Sequence, residues 1–191
     1  MDKKLLLTIS GTPGSGKSTI AKILSEKLKA HRIYVGGIRR ELARQKEMTI
    51  EELNQYALEH PETDVEIDKK AAAQAREAFK KTSVIVEGRT QFHFLPESIK
   101  IYIKVSFAEG AKRIWKQIQN DKERGIRNEH VPDSIENMQI QLKERQKNDR
   151  VRYQKYYQLD HTDESQYDLI VDTSDISAQE AVQKIVDFIS K

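Results

Sequence analysis

The segment 11–18, with the sequence GTPGSGKS, constrains the fold of this chain more than any other feature. It follows a continuous apolar run over residues 5–9, which is typical of a strand covered on both faces of a parallel sheet. After it, apolar residues recur at helical spacing up to about Lys29. A glycine-rich turn between a buried strand and an amphipathic helix, closed by Gly-Lys-Ser, matches the pattern of a phosphate-binding loop. We therefore expect a strand, a loop and a helix that together hold a polyphosphate.

Strands alternate with helices along the rest of the 191-residue chain. Further apolar runs predict strands at residues 32–35, 84–86, 101–105 and 169–171. A glycine pair at 36–37 is expected to end the second strand, before a polar helical region over 38–81 with a break at His60-Pro61. Capping boxes predict helices that start at Thr49, at Asp133 (a long one, to about Tyr157) and at Ser177. The alternation predicts one α/β domain over 1–191, with a five-stranded parallel sheet flanked by helices.

Composition limits the partners and the chemistry. The chain has no cysteine, which excludes disulfides, thiolate catalysis and thiolate-bound zinc. No window approaches the roughly 18 to 20 apolar residues that a membrane span needs. The formal net charge is +3, a mildly basic balance that small polyanions explain as well as RNA does. We expect a cytoplasmic monomer whose partners are small molecules, with neither a membrane nor a nucleic acid among them.

Each part of the loop has a physical role in binding a nucleoside triphosphate. Its glycines allow backbone N–H groups to turn inward around the phosphates, and the following helix points its positive dipole end at the same anion. Lys17 would reach the β and γ phosphates, and the hydroxyl of Ser18 would hold Mg²⁺. The predicted ATP-binding residues of the loop are Gly11, Thr12, Pro13, Gly14, Ser15, Gly16, Lys17, Ser18 and Thr19.

The absence of other motifs narrows the reaction. The sequence contains neither the N-K-x-D that reads guanine nor a D-x-x-G at the end of a predicted strand, which argues against a switch GTPase. A motor ATPase usually needs a larger chain. A small-molecule or nucleotide kinase is the class that remains, and it needs Mg²⁺, positioning and several arginines to bring two polyphosphates together.

Arginines stand where such a kinase needs them, and their planar fork suits phosphate oxygens. Arg40 follows the second predicted strand, and Arg89 follows the third, beside Glu87. The long helix carries Arg145, Asp149 and Arg152 on one face, and Arg113 lies on the helix before a charged loop at 120–132.

An ordered series of segments resembles the archaeal-type cytidylate kinases, which are P-loop nucleoside monophosphate kinases. The segments are 9–22 (ISGTPGSGKSTIAK), 36–41 (GGIRRE), 48–68, 86–89 (VEGR), the tyrosine-rich 152–157 and 167–174 (YDLIVDTS). Because these segments are spread over residues 9–174, which is most of the chain, the resemblance implies the P-loop kinase fold with ATP and Mg²⁺ as cofactors. It also implies transfer of the ATP γ-phosphoryl group to CMP or dCMP.

The resemblance also implies roles for particular residues. Arg40, Arg89, Arg145, Asp149 and Arg152 would bind the acceptor, while Glu87 would order Mg²⁺-bound water. Asp172, Thr173 and Ser174 would lie against the adenine. Lys17, Arg89, Arg113 and Arg145 would be catalytic, with Arg113 as a lid arginine. The segment 36–81 would bind the acceptor, and 112–132 would close as a lid.

Four positions depart from the family's pattern. Val35 stands where a serine is common, and Arg39 replaces an aromatic residue. Thr90 begins the bulky stretch TQFHF where small residues are usual, and Gln117 occupies the place of a second lid arginine, for which Lys116, Arg124 or Arg127 could substitute. Three of the four lie near the acceptor pocket. AMP, UMP or a non-nucleotide acceptor therefore stays open, as does a nucleotide-dependent protein that binds RNA or another protein through its basic 112–155 region.

Overall fold

The structure is a computed structural model, and it describes residues 4–119, 128 and 131–190. The strands are β1 (Leu6–Gly11), β2 (His31–Tyr34), β3 (Val84–Glu87), β4 (Ile99–Lys104) and β5 (Leu169–Asp172). All of them pair in parallel, in the order β2-β3-β1-β4-β5. The predicted five-stranded parallel sheet is confirmed, and β1 lies at its centre.

The helices surround this sheet. They are α1 (Lys17–Lys27), α2 (Val35–Gln45), α3 (Ile50–Tyr56), α4 (Glu62–Phe79), α5 (Gln91–Phe94), α6 (Phe107–Ile118), α7 (Ile135–Tyr157) and α8 (Ala178–Ile189), with a 3₁₀ turn at Glu164–Gln166. None of the helices described is both long enough and apolar enough to cross a membrane.

Helices cover both faces of the sheet. Successive side chains of β1 point to opposite sides, so the strand contributes to a core on each face. Leu7 and Ile9 pack with α1 and α8 in one core cluster. Leu6 packs on the other face with the alanines of α4. Helices α6 and α7 pack on each other through a smaller apolar cluster that includes Ile114 and Met138. This leaves the carboxyl ends of the strands as the open edge, where ligands of parallel sheets bind.

The start of α2 differs from the expectation. Val35 and the glycines at 36 and 37 belong to the first turn of α2, so the glycines do not break the chain after β2. The ring of Tyr34 lies against this turn. A Cβ on Gly36 or Gly37 would come within 2.9 or 2.7 Å of the ring. These glycines therefore serve a close approach between the ring and the helix backbone.

The capping predictions are confirmed at two of three positions. Thr49 and Ser177 each form the full reciprocal capping box with a glutamate three residues later. The long helix is instead capped by Ser134, whose hydroxyl accepts from the backbone N–H of Asn137. Asp133 was the wrong choice, since its carboxylate accepts from the side-chain amide of Asn137. The short helix α5 was not foreseen.

Much of the predicted lid segment lies outside the described residues. Helix α6 ends at Ile118, and residues 120–127 and 129–130 are not described. The predicted charged loop at 120–132 therefore falls largely outside, together with the candidate cations Arg124 and Arg127.

Candidate active site

The loop 11–18 joins β1 to α1, as the sequence predicted. Gly14 and Gly16 have φ angles of 78° and 79°, in the left-handed region that glycine adopts most easily. A Cβ placed on Gly16 would meet nothing within 4 Å. The N-terminus of α1 therefore opens onto free space, as a helix end that binds a phosphate requires.

Helix α6 packs directly on this loop through a second glycine. A Cβ on Gly14 would lie 2.6 Å from Cα and O of Gly110, and one on Gly110 would lie 2.9 Å from the carbonyl oxygen of Pro13. Only glycine fits on either side of this contact. The position of the loop thus depends on Gly110, which lies 96 residues further along the chain and is not marked by any local sequence pattern.

Lys17 lies among arginines that come from three other segments. Its Nζ donates to the carbonyl oxygen of Gly11 at 3.4 Å. Burial, followed by the positive charge of Arg89, lowers the pKa of Lys17 to about 8, and Arg145 and Arg40 act in the same direction. Like charges in a buried cluster are unfavourable unless an anion is bound among them. The cluster is therefore suited to a polyanion.

Ser18, in the first turn of α1, meets Glu87 at the end of β3. The hydroxyl of Ser18 donates to one carboxylate oxygen of Glu87 at 2.5 Å, and Arg32 of β2 pairs with the other at 2.5 Å. Hydroxyl and carboxylate oxygens are the ligands that Mg²⁺ prefers, so the pair fits the ion. Within the described residues, no three His, Cys, Asp or Glu side chains form a cage, so an ion here would take its other ligands from water and phosphates.

Arg89, Asp149 and Arg152, three residues of the predicted acceptor side, are joined by ion pairs through Asp149. Nη1 of Arg89 lies 2.9 Å from one oxygen of Asp149, and Nη2 of Arg152 donates to the other at 2.8 Å. Burial opposes ionisation of Asp149, yet Arg89, Arg152 and Arg145 together hold its pKa well below the usual range. The carboxylate is thus held charged in the interior by the arginines around it.

Arg40 lies on α2, facing the same edge of the sheet. Its Nη1 donates to the hydroxyl of Tyr34 at 2.6 Å and to the carbonyl oxygen of Gly36 at 3.2 Å. Arg145 is half-buried on α7, and its charge acts on both Lys17 and Asp149. The structure therefore brings Arg40, Arg89 and Arg145 to one place.

The segment after β5 contacts the phosphate-binding loop. The buried hydroxyl of Thr173 lies 3.0 Å from the carbonyl oxygen of Ser15. Arg113 donates to the carbonyl oxygen of Thr173 at 2.6 Å, while Asp172 accepts from the backbone N–H of Ser174. Arg113 thus lies against the predicted adenine loop, and a role over the transferred group would require it to change partners.

Comparison with known proteins identifies the family. A family model described as an AAA domain matches residues 7–144. The cytidylate kinase of Thermococcus kodakarensis is 35% identical over 171 residues, which cover 89% of this chain and 80% of that protein. The cytidylate kinase of Archaeoglobus fulgidus is 35% identical over 185 residues, covering 94% of this chain and 92% of that protein. The chain belongs to the archaeal-type cytidylate kinase family.

The fold is that of the P-loop kinases more widely. Shikimate kinase from Acinetobacter baumannii superposes with a TM-score of 0.56 over 98% of this chain and 94% of that chain, at 17% identity. At this level of identity the likeness concerns the fold alone, and it confirms the predicted class.

Two departures from the cytidylate kinase pattern are built into the interior. Arg39 contacts the carboxylate of Asp64 and donates to the side-chain oxygen of Asn54 at 2.9 Å. The hydroxyl of Thr90 donates to Asp68 at 2.8 Å, and the next residue, Gln91, donates to the same carboxylate at 2.9 Å. Val35 is buried and Gln117 is exposed. The new polar residues therefore have carboxylate partners on α4.

Sequence reasoning missed these carboxylates and Arg32. Asp64 and Asp68 are 1% and 5% exposed. The signal was present in their spacing, because they continue the helical face of the buried Ala71 and Ala75 at intervals of four and three residues. Acids on the apolar face of a helix indicate buried partners. No comparable local signal identifies Arg32.

Proposed function

We propose that this protein is an ATP- and Mg²⁺-dependent kinase that transfers the γ-phosphoryl group of ATP to CMP or dCMP. The observation that carries the proposal is the cluster in which Arg89 and Arg152 contact Asp149 at 2.9 and 2.8 Å, beside the lysine of the phosphate-binding loop. The positive charges of Arg89, Arg145 and Arg40 all act on that lysine, Lys17. A kinase of this kind must bring two phosphate anions together, and oriented cations stabilise the charge shared between them.

On the donor side, residues 11–19 would hold the phosphates of ATP, with Lys17 at the β and γ groups. The contact of Thr173 with the carbonyl oxygen of Ser15 supports a position for the segment 172–174 beside the same nucleotide. Ser18 would hold Mg²⁺ directly and Glu87 through water, and the ion would neutralise part of the triphosphate charge.

On the acceptor side, Arg40, Arg89 and Arg145 would bind the monophosphate, with Asp149 and Arg152 behind them. A phosphate oxygen is already a nucleophile, so the acceptor needs orientation more than it needs a strong base. In this proposal the chain acts as one domain in which 36–81 binds the acceptor and 112–132 closes as a lid with Arg113. Closure would exclude water and limit wasteful hydrolysis of ATP.

The test is an ADP-release assay with ATP, Mg²⁺ and a panel of acceptors, followed by product analysis. The panel contains CMP, dCMP, UMP, AMP, GMP and shikimate. We expect the highest kcat/KM with CMP and dCMP. No ADP above the ATPase background with any of these acceptors would contradict a nucleoside monophosphate kinase, and a preference for another acceptor would assign the reaction to that molecule instead.

A groove on the outer face of α7 supports a second reading, a nucleotide-dependent protein that binds RNA. The groove has a volume of about 710 Å³ and contains none of the predicted site residues. Its lining includes Lys143, Lys147, Arg150 and Lys155. Binding to single-stranded RNA that weakens steeply with salt and depends on ATP would favour this reading. Phosphorylation of CMP together with no RNA binding would reject it.

A further inference from the structure

The role of one buried carboxylate, Asp64 on α4, is not explained by the proposed reaction. Its side chain is 1% exposed and lies between two guanidinium groups, those of Arg39 and Arg152. Nε of Arg152 is 2.5 Å from Oδ2 of Asp64. Such a carboxylate has no water to solvate it, so its charge depends on these two partners.

The contact extends as a chain of alternating charge to the acceptor side. Arg152 forms ion pairs with both Asp64 and Asp149, and Asp149 also pairs with Arg89. The members, in order, are Arg39, Asp64, Arg152, Asp149 and Arg89. They come from α2, α4, α7 and the segment after β3, so the chain of ion pairs connects the acceptor-binding region to a proposed phosphate-binding arginine.

The middle of this chain has little freedom to rearrange. The side chain of Arg152 is fully buried and also donates to the backbone oxygen of Asn54 at 3.3 Å. Arg39 reaches the side chain of the same Asn54. Burial, together with the charge of Arg152, lowers the pKa of Arg39 to about 10. The two arginines therefore repel each other, and Asp64 is a carboxylate that contacts both of them.

We propose that Asp64 is a positioning residue that fixes Arg152, and through Asp149 fixes Arg89, so that the acceptor phosphate meets a correctly oriented guanidinium. The inference rests on the proposed function, in which Arg89 binds that phosphate. No member of the chain before Arg89 touches the donor loop in the described contacts. Loss of Asp64 should therefore weaken acceptor binding and leave donor binding intact.

The test compares Asp64→Asn with Glu66→Gln, a change to an acid two residues away on α4 whose side chain is 62% exposed. Dissociation constants for CMP and for a non-hydrolysable ATP analogue are measured by calorimetry. We expect Asp64→Asn to weaken CMP binding about tenfold or more, within the usual range of coupling between sites, and to change ATP-analogue binding less than about twofold. Glu66→Gln should change neither constant.

A double variant separates positioning from a general loss of structure. Adding Arg39→Met to Asp64→Asn removes the positive charge that would push Arg152 aside. The double variant should therefore recover part of the CMP affinity that Asp64→Asn loses. If Asp64→Asn does not fold, Arg39→Met alone provides the test, with an expected loss of about threefold for CMP and none for the ATP analogue.

The outcomes distinguish this inference from the proposed function. A wild-type protein that binds the ATP analogue but neither binds nor phosphorylates CMP contradicts the proposed function. If the wild type is active, three results for the variants would contradict the inference while leaving the proposed function intact. These are equal weakening of both ligands by Asp64→Asn, no weakening of CMP binding, and a double variant that binds CMP no better than the single one.

Discussion

The proposed donor and acceptor sides of the site are built in opposite ways. The proposed donor side centres on one continuous loop, 11–18, which relies on glycine backbone conformation and on the end of α1. The acceptor side consists of charged side chains from α2, α4, α7 and the segment after β3. The loop presents its binding groups through local backbone conformation and needs distant packing only for its position against Gly110, whereas the acceptor side exists only once distant elements pack. Variants on the two sides should therefore fail differently.

The largest expected effect is on the acceptor side. Asp149→Asn should lower the free energy of unfolding by about 3–5 kcal/mol, because Arg89 and Arg152 would lose a buried partner. Urea unfolding measures this. Since the pKa of Asp149 is held below its unfolded value, the stabilisation is present above about pH 4 and is lost as the pH falls further.

The control for that variant is Glu77→Gln, which removes a pair with Lys80 whose side chains are 63% and 70% exposed. An exposed pair contributes little, so the change should stay within about 0.5 kcal/mol. Equal effects of the two substitutions would mean that the buried ion network does not set the acceptor side apart.

On the donor side, Lys17→Met should lower kcat/KM for CMP phosphorylation about 100- to 1000-fold. The free energy of unfolding should not fall, because burial and the neighbouring arginines already disfavour the charge of Lys17. Steady-state kinetics and urea unfolding on the same samples measure both. Lys22→Met, at an exposed position of α1, should leave both unchanged. A destabilised Lys17→Met protein would contradict the contrast between the sides.

A pair of glycine variants separates backbone conformation from packing within the donor loop. Gly14 and Gly16 have nearly equal φ angles, but only Gly14 faces the backbone of Gly110. Gly16→Ala should cost about 1–2 kcal/mol of stability through backbone strain. Gly14→Ala should cost about 1–3 kcal/mol more through overpacking. Equal losses in urea unfolding would show that α6 moves away freely.

The smallest effect is a pH dependence of donor binding. A triphosphate should raise the pKa of Lys17 from its value of about 8 in the ligand-free protein, so binding takes up a proton above that pH. The affinity for a non-hydrolysable ATP analogue should therefore fall as the pH rises beyond about 8, by at most about tenfold per pH unit. Calorimetry in buffers of different ionisation enthalpy measures the uptake, which Lys17→Met should abolish.

Local patterns predicted the strands well and the start of α2 poorly. Buried parallel strands are continuous apolar runs, so residues such as Ile9, Ile85 and Ile103 identify them directly. Glycine is needed at Gly36 and Gly37 because the ring of Tyr34 lies against the helix backbone, a contact that local sequence patterns do not predict.

By itself, the sequence determined the parallel sheet, the phosphate-binding loop and the family to which the chain belongs. The sheet and the loop follow from short-range physics, since apolar runs, glycine dihedrals and a helix terminus act within a few residues, whereas the family follows from the ordered resemblance of its segments. Only the tertiary structure decided the partners of Asp64, Glu87 and Gly14. Each partner is distant in the sequence, and Gly110 lies 96 residues from Gly14. Ion pairs and close backbone contacts depend on distances in space, and these are set only when the helices pack on the sheet.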